Sequence, residues 1–180
     1  MREKKHLPEP TQRIYFQHWQ EADLELAYTL WSNPEVTRWI GGPFNDELVK
    51  RRLYEEIELQ ERYGVQYWPT FLSNSQKFIG CAGLRPYRLE EGVYELGIHL
   101  LPEFWGRGLA SEAAESAIRH ALQQLNASAI FAGHHPENRR SAGLIRRLGF
   151  QYTHDEFYPP TGRTHPSYLL PRGSHDRPGQ

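Results

Sequence analysis

Three stretches hold residue types that group-transfer chemistry needs. In Pro102–Glu112, PEFWGRGLASE, Gly106 and Gly108 alternate with Arg107, so successive backbone N–H groups can converge on one point. The helical pattern that starts at Leu109 aims its positive end at the same point, which suits phosphate or pyrophosphate. Arg107 adds a charge there and Ser111 a hydroxyl donor. The loop is not a P-loop, since no GKS or GKT follows, and Ser111 stands where a dinucleotide fingerprint has its third glycine. By itself it reads equally as a glycine-rich turn before a capped helix. In Asn138–Phe150, NRRSAGLIRRLGF, Asn138 and Ser141 are three apart and leave one face of a first helical turn. Four arginines follow or flank them, as a solvated basic face or as a second phosphate contact. Finally, Glu95 interrupts the apolar run GVYELGIHLL. Burial there lifts a carboxyl pKa toward neutrality and makes a general base; the plainer reading pairs it with an arginine.

These residues need a scaffold, and the pattern supplies one. Residues 1–10 read as a flexible lead. Thr11–Trp19 has strand composition, and Glu21–Trp31 carries helical spacing that Asn33-Pro34 stops. A short turn over Glu35–Ile40 precedes a helix capped by Asn45 or Asp46 and closed by Gly64, with Leu48, Leu53, Tyr54 and Ile57 as its stripe. Val65–Leu72 and Lys77–Tyr87 flank a hairpin turn, and Gly92–Leu101 is the next strand. The period then changes to a helix over Leu109–Leu125, a short strand at Ala129–Gly133, a helix over Asn138–Leu148, and a closing hairpin of Gln151–Tyr158 with Ser167–Leu170. The ending LLPRGSHDRPGQ resembles a cloning linker and reads as a tail, taken as residues 171–180. The expected architecture is one α+β domain over residues 11–170: a mixed, mostly antiparallel central sheet of about seven strands flanked by about four helices.

Composition narrows the class. Lys and Arg number 21 against 22 Asp and Glu, a net charge of −1, so no global basic field exists to hold a nucleic-acid backbone. No apolar run has membrane-span length, and a cytoplasmic protein without membrane or nucleic-acid partners is expected. Cys81 is the one cysteine, which excludes an intrachain disulfide and a thiolate metal cage. The nine histidines show no ligand spacing, and no metal is expected; His134 and His135 are adjacent on a strand end and diverge. Cys81 in IGCAGL reads as a small core residue.

The order strand, W-G-R-G-L-A loop, helix, strand, then N-x-x-S…R-L-G-F resembles the GNAT superfamily of acetyl-CoA-dependent N-acyltransferases. It is similar in particular to the Rim-type branch, which includes acetylases of ribosomal-protein N-termini. Trp105 stands where the superfamily's loop often has Arg or Gln, a feature usual in that branch. The resemblance implies acetyl-CoA as cosubstrate. It implies that N–H groups from Gly106 through Ser111 (Gly106, Arg107, Gly108, Leu109, Ala110, Ser111), beside Trp105, hold the pyrophosphate. It also implies that the edge of the Ile98–Leu101 strand (Ile98, His99 and Leu100 in particular) pairs with pantetheine, the Leu100 amide polarises the thioester carbonyl, Asn138 meets the pantetheine arm and Arg147 reaches a CoA phosphate.

An amine must be neutral to attack a thioester, yet an α-amine has a pKa of ~8 and a lysine ~10.4. A base must take a proton, and a donor then stabilises the leaving thiolate. Glu95 is the expected base. Many members use a tyrosine four residues before the Gly-Phe pair as the acid, but Ile145 stands there. Ser141 is the expected substitute, with Tyr158 and Tyr152 as fallbacks. Aromatics in Trp31–Phe44 are candidates for an acceptor wall. The acceptor is expected to be a protein or peptide N-terminal α-amine, or a small-molecule amine, served by a monomer or homodimer. A non-catalytic acyl-CoA-binding regulatory domain is the rival from another class.

Overall fold

The computed structural model describes residues 6–174. Seven strands form one sheet in the order β1-β2-β3-β4-β5-β7-β6. They are β1 (Ile14–Phe16), β2 (Tyr67–Leu72), β3 (Phe78–Arg88), β4 (Val93–Leu100), β5 (Ala129–Gly133), β6 (Gln151–Tyr158) and β7 (Arg163–Pro171). Five helices accompany them: α1 (Leu24–Trp31), α2 (Pro34–Thr37), α3 (Asp46–Tyr63), α4 (Leu109–Gln123) and α5 (Arg139–Arg147). The fifth is the four-residue α2, a single turn begun by Asn33, whose side chain accepts from the Glu35 N–H, with Pro34 in the first position. Caps define the longer helices as their sequences require. Asn45 accepts from the Leu48 N–H, and Gly64 closes α3 in the left-handed conformation.

Several elements differ from the sequence expectation. The first strand shrinks to three residues because both its ends are used elsewhere. Thr11 and Arg13 turn toward Glu112, while Trp19 donates its indole to the Tyr67 carbonyl and its N–H to the Gln66 side chain. The buried stripe of α3 is Val49, Leu53, Glu56 and Gln60, and Tyr54 is exposed. The helix is rotated because Glu56 and Gln60 anchor polar groups of β2: the Tyr67 N–H and the Trp68 indole. The lead is not loose throughout, since Pro8 is buried and the Glu9 carbonyl accepts from Ser116 on α4; residues 1–5 lie outside the described range. Leu169, Leu170 and Pro171, at the head of the supposed tail, are paired with β5.

All strand pairs are antiparallel except β4 with β5. That pair holds only from Val93, Tyr94 and Glu95 to Ala129, Ile130 and Phe131. Beyond Glu95 the two strands part. Leu101 donates to the Ile79 carbonyl across β3. Because alternate residues of a strand bond to alternate neighbours, the N–H and C=O groups of Ile98 and Leu100 face the open side. The core lies on both faces of the sheet, with α4 packed against β3 and β4.

Close packing over β4 depends on Gly97. It lies opposite Gly83, which in turn pairs with Tyr67, and the phenol end of the Tyr67 ring lies against the glycine. A methyl group at Gly97 would overlap that ring. Gly97→Ala is therefore expected to cost roughly 1–3 kcal/mol by overpacking. Denaturant melts of the two proteins check this, and an unchanged midpoint would contradict the packing argument.

Candidate active site

The parting of β4 and β5 opens a cavity of about 1060 Å³ in the sheet. Of the residues singled out from the sequence, Glu95, Ile98, His99, Leu100, Trp105, Gly106, Gly108, Leu109, Ala110, Ser111, Asn138, Ser141 and Arg147 line it. Arg107 does not; its guanidinium lies 5.7 Å from the centre of the Phe104 ring.

The loop before α4 has the form of an anion cradle. Gly106 (φ 72°) and Gly108 (φ 76°) take the left-handed conformation that side-chain-bearing residues disfavour. Space around Gly106 is open, with nothing within 4 Å of where a Cβ would stand. Trp105 donates its indole N–H to the Leu100 carbonyl at 2.7 Å, and Arg140 stacks on the same ring. The loop's other brace was not foreseen. Arg13 pairs with Glu112 at 2.6 Å and donates to the Arg107 carbonyl at 2.9 Å. Burial pushes the Glu112 carboxyl up, but bonds from Thr11 and Arg13 outweigh it and hold the pKa low. A carboxylate in the first turn thus stays ionised and neutralised by Arg13, leaving the helix dipole to the cradle.

Asn138 caps α5 through a bond from the Ser141 N–H at 3.1 Å, so its carbonyl oxygen is committed while its amide N–H₂ remains for the cavity. The Ser141 hydroxyl is free to face the same space. Ile145 is buried beneath them. Of the two fallback tyrosines, Tyr158 lines the cavity, whereas Tyr152 is 58% exposed and lies outside it. Burial raises the Tyr158 pKa, so its phenol keeps its proton.

Glu95 stands where the β4–β5 pairing ends, directly across from Arg85 on β3. Burial pushes its carboxyl pKa up; Arg85 and Arg52 pull it back, and Glu156 and Glu56 add to the rise. Neither arginine forms an ion pair with it among the described residues. His99, two turns of the pleat further along the same face, accepts from the Trp31 indole at 3.2 Å and sits 3.8 Å from the Cys81 sulfur. Burial, helped by Arg52 and Arg85, drives its pKa well below the usual value, so the imidazole is neutral. Burial pushes the Cys81 thiol the other way, far above its usual range, and removes it as a nucleophile.

Of the aromatic candidates in the first loop, Trp39 lines the cavity and stacks near His135, while Trp31 is fully buried. His134 and His135 do diverge, toward Tyr168 and toward Trp39 with His165. No group of three or more His, Cys, Asp or Glu that could hold a metal occurs among the described residues, and no described helix is long and apolar enough to cross a membrane. Sequence reading missed Arg52 and Arg85. Arg85 was accessible in principle through the hairpin register that sets it opposite Glu95; Arg52 is one turn before Glu56 on α3.

A family model described as the GNAT acetyltransferase domain matches residues 13–151. The chain belongs to the GNAT acetyltransferase family. Membership makes it an acetyl-CoA-dependent N-acetyltransferase. An uncharacterized N-acetyltransferase, p20 of Bacillus licheniformis, is 30% identical over 143 residues, spanning 78% of this chain and 80% of the relative. The ribosomal protein uS5-alanine N-acetyltransferase of Escherichia coli (strain K12) is 29% identical over 97 residues, about half of each chain (52% and 49%). Among solved structures, RimL, described as the ribosomal L7/L12 alpha-N-protein acetyltransferase, in complex with coenzyme A, superposes with a TM-score of 0.79 at 14% identity, covering 95% of this chain and all (100%) of that one. An acetyltransferase from Agrobacterium tumefaciens str. C58 gives 0.75 at 24%, covering 94% and 99%. These likenesses establish the fold of this GNAT member.

Proposed function

We propose that this GNAT enzyme moves acetyl from acetyl-CoA directly to a primary amine, with Glu95 as the base, and that the acceptor is a protein or peptide N-terminal α-amine in the cytoplasm. The carrying observation is the placement of Glu95. It is an acid with a raised pKa and no hydrogen-bond partner among the described residues, set where β4 leaves β5. The residues present fit acetyl-CoA. The Gly106–Ser111 N–H groups and the α4 N-terminus suit a pyrophosphate, and the open edge offers both backbone groups of Ile98 and the Leu100 N–H to an extended amide-bearing arm, the Leu100 carbonyl being taken by Trp105. Bound acetyl-CoA supplies an activated acyl group. As the N–C bond forms, Glu95 takes the amine's proton and the Leu100 N–H donates to the developing oxyanion. As the C–S bond breaks, Ser141 gives its hydroxyl proton to the leaving sulfur and regains one from solvent, to which Glu95 releases its own. Asn138 and Arg147 add contacts along the arm and at a phosphate.

The likeness to RimL and to the uS5-alanine enzyme supports the N-terminal acceptor. A small-molecule amine is the second reading, favoured by the partial span of the uS5 match. Release of CoA thiol, followed against peptides with varied first residues, N-blocked lysine peptides, polyamines and amino acids, decides. Turnover confined to free peptide N-termini is expected; turnover confined to a small amine would retain the chemistry and replace the acceptor.

The cradle has its own test. Gly106→Ala places a methyl group where an anion must approach, at a φ that disfavours it. Acetyl-CoA Kd is expected to rise about tenfold, as for one charge-assisted hydrogen bond lost. The strain costs about 1–2 kcal/mol of stability. Calorimetric titration with acetyl-CoA reads the first, and an unchanged Kd would remove Gly106 from the cradle.

A further inference from the structure

Glu56, fully buried on α3, accepts from Arg52 Nε at 3.2 Å and from Arg85 Nη2 at 2.5 Å through one oxygen. Its other oxygen takes the Tyr67 N–H at 2.8 Å. One carboxylate therefore serves two guanidiniums, and both line the cavity. They are largely enclosed, their side chains 15% and 20% exposed. Both lie over the Tyr67 ring, at 5.5 and 4.8 Å, so the two guanidiniums gather on one side of the cavity. Yet most of their donors are idle. No described residue accepts from either terminal nitrogen of Arg52 or from Nη1 of Arg85, and Arg85 Nε is buried without a partner. A guanidinium offers five N–H donors, and enclosed donors without acceptors are costly unless a ligand meets them. Glu156, a further carboxylate at the cavity, is already engaged by the Tyr87 hydroxyl.

The geometry points to an anion subsite in the acceptor half of the cavity: Arg52 and Arg85 hold a carboxylate of the acceptor while Glu95, across the strand pair from Arg85, faces its amine. The inference rests on the proposed function for the role of Glu95. A planar carboxylate matches the fork of a guanidinium, and because Arg85 stands directly opposite Glu95, a carboxylate held there lies within a few bonds of an amine at Glu95. That chemistry has two sources. One is the α-carboxylate of a free amino acid, and the other is the side-chain carboxylate of an acidic first residue of a peptide.

Binding of acetylated products to the enzyme with CoA present tests the subsite without requiring turnover. The probes are two matched pairs: N-acetylalanine against N-acetylalaninamide, and N-acetylaspartate α-amide against N-acetylasparagine α-amide. By calorimetry the carboxylate member of at least one pair is expected to bind about 20-fold or more tightly, at least the size of one charge-assisted hydrogen bond. The pair that discriminates identifies the source. Arg52→Gln, which leaves the Arg85–Glu56 pair in place, is expected to reduce the preference to below about threefold, with thermal melting confirming the fold. Equal affinities within both pairs, or a preference that survives both Arg52→Gln and Arg85→Gln, would overturn the subsite. Glu95→Gln separates the two readings. It is expected to keep the binding preference while losing turnover; full turnover in that variant would overturn the base and leave the subsite standing.

Discussion

Glu95→Gln is expected to lower kcat by about 10²–10⁴-fold at neutral pH, the range for loss of a positioned general base, with acetyl-CoA affinity nearly unchanged. Affinity is spared because the Gly106–Ser111 cradle and the open β4 edge are separate from the carboxylate. The pH dependence gives a second signature. Burial raises the Glu95 pKa more than Arg85 and Arg52 lower it. Only the carboxylate form accepts a proton, so activity falls as pH drops through a value above the ordinary Glu pKa. In the Gln variant that limb disappears. What remains is the rise from the amine's own ionisation, near pH ~8 for an α-amine, so alkaline conditions partly restore the rate. Stability should move the opposite way. A carboxyl whose folded pKa is raised has its full stability below the unfolded pKa and loses it as pH rises through the folded one. The uncharged Gln is therefore expected to melt no lower than wild type at pH 7. Steady-state kinetics from pH 5 to 9 beside thermal melts test the set; an acid limb that persists in the variant would assign the base to another group.

Glu56→Ala is expected to have the largest effect on folding. The residue is fully buried, and its carboxylate bonds both Arg52 and Arg85 and accepts the Tyr67 N–H. Removing one partner from a buried charge pair costs about 3–5 kcal/mol because the other charges stay behind. At ~2–4 °C per kcal/mol for a chain of this size, the midpoint should fall by roughly 6–20 °C. Glu56→Gln keeps an acceptor for Tyr67 and fills the same volume, so its loss should be smaller. The Gln variant also reports on the site. Glu56 helps raise the Glu95 pKa, and without its charge two uncompensated guanidiniums face Glu95. The acid limb of activity should then shift to lower pH. Calorimetric melting and the pH profile of the folded Gln variant check these two effects separately.

What the sequence determined by itself was local. Asn45, Gly64, Asn138 and the Gly106–Gly108 loop are placed by capping and backbone sterics that act within a few residues, and they stand where their spacing puts them. The change from alternating to helical period after Leu101 fixed the strand-loop-helix unit, because burial selects the same faces that periodicity displays. Glu95 was legible as an acid out of place in an apolar run. Tertiary structure decided the rest. The wedge between β4 and β5 comes from a parallel pairing of residues more than thirty positions apart, which ends at Glu95 while β5 stays paired with β7 along its whole length. Sequence assigned α3 an ordinary apolar stripe including Tyr54, whereas the folded helix is rotated to bury Glu56. That rotation becomes favourable only once Arg85 and the Tyr67 N–H arrive from the sheet to satisfy the carboxylate. Arg13 and Glu112 likewise join across 99 positions. Long-range charge pairing leaves no periodic trace: each residue alone looks like a solvated surface charge, and desolvation by the rest of the fold is what makes it specific.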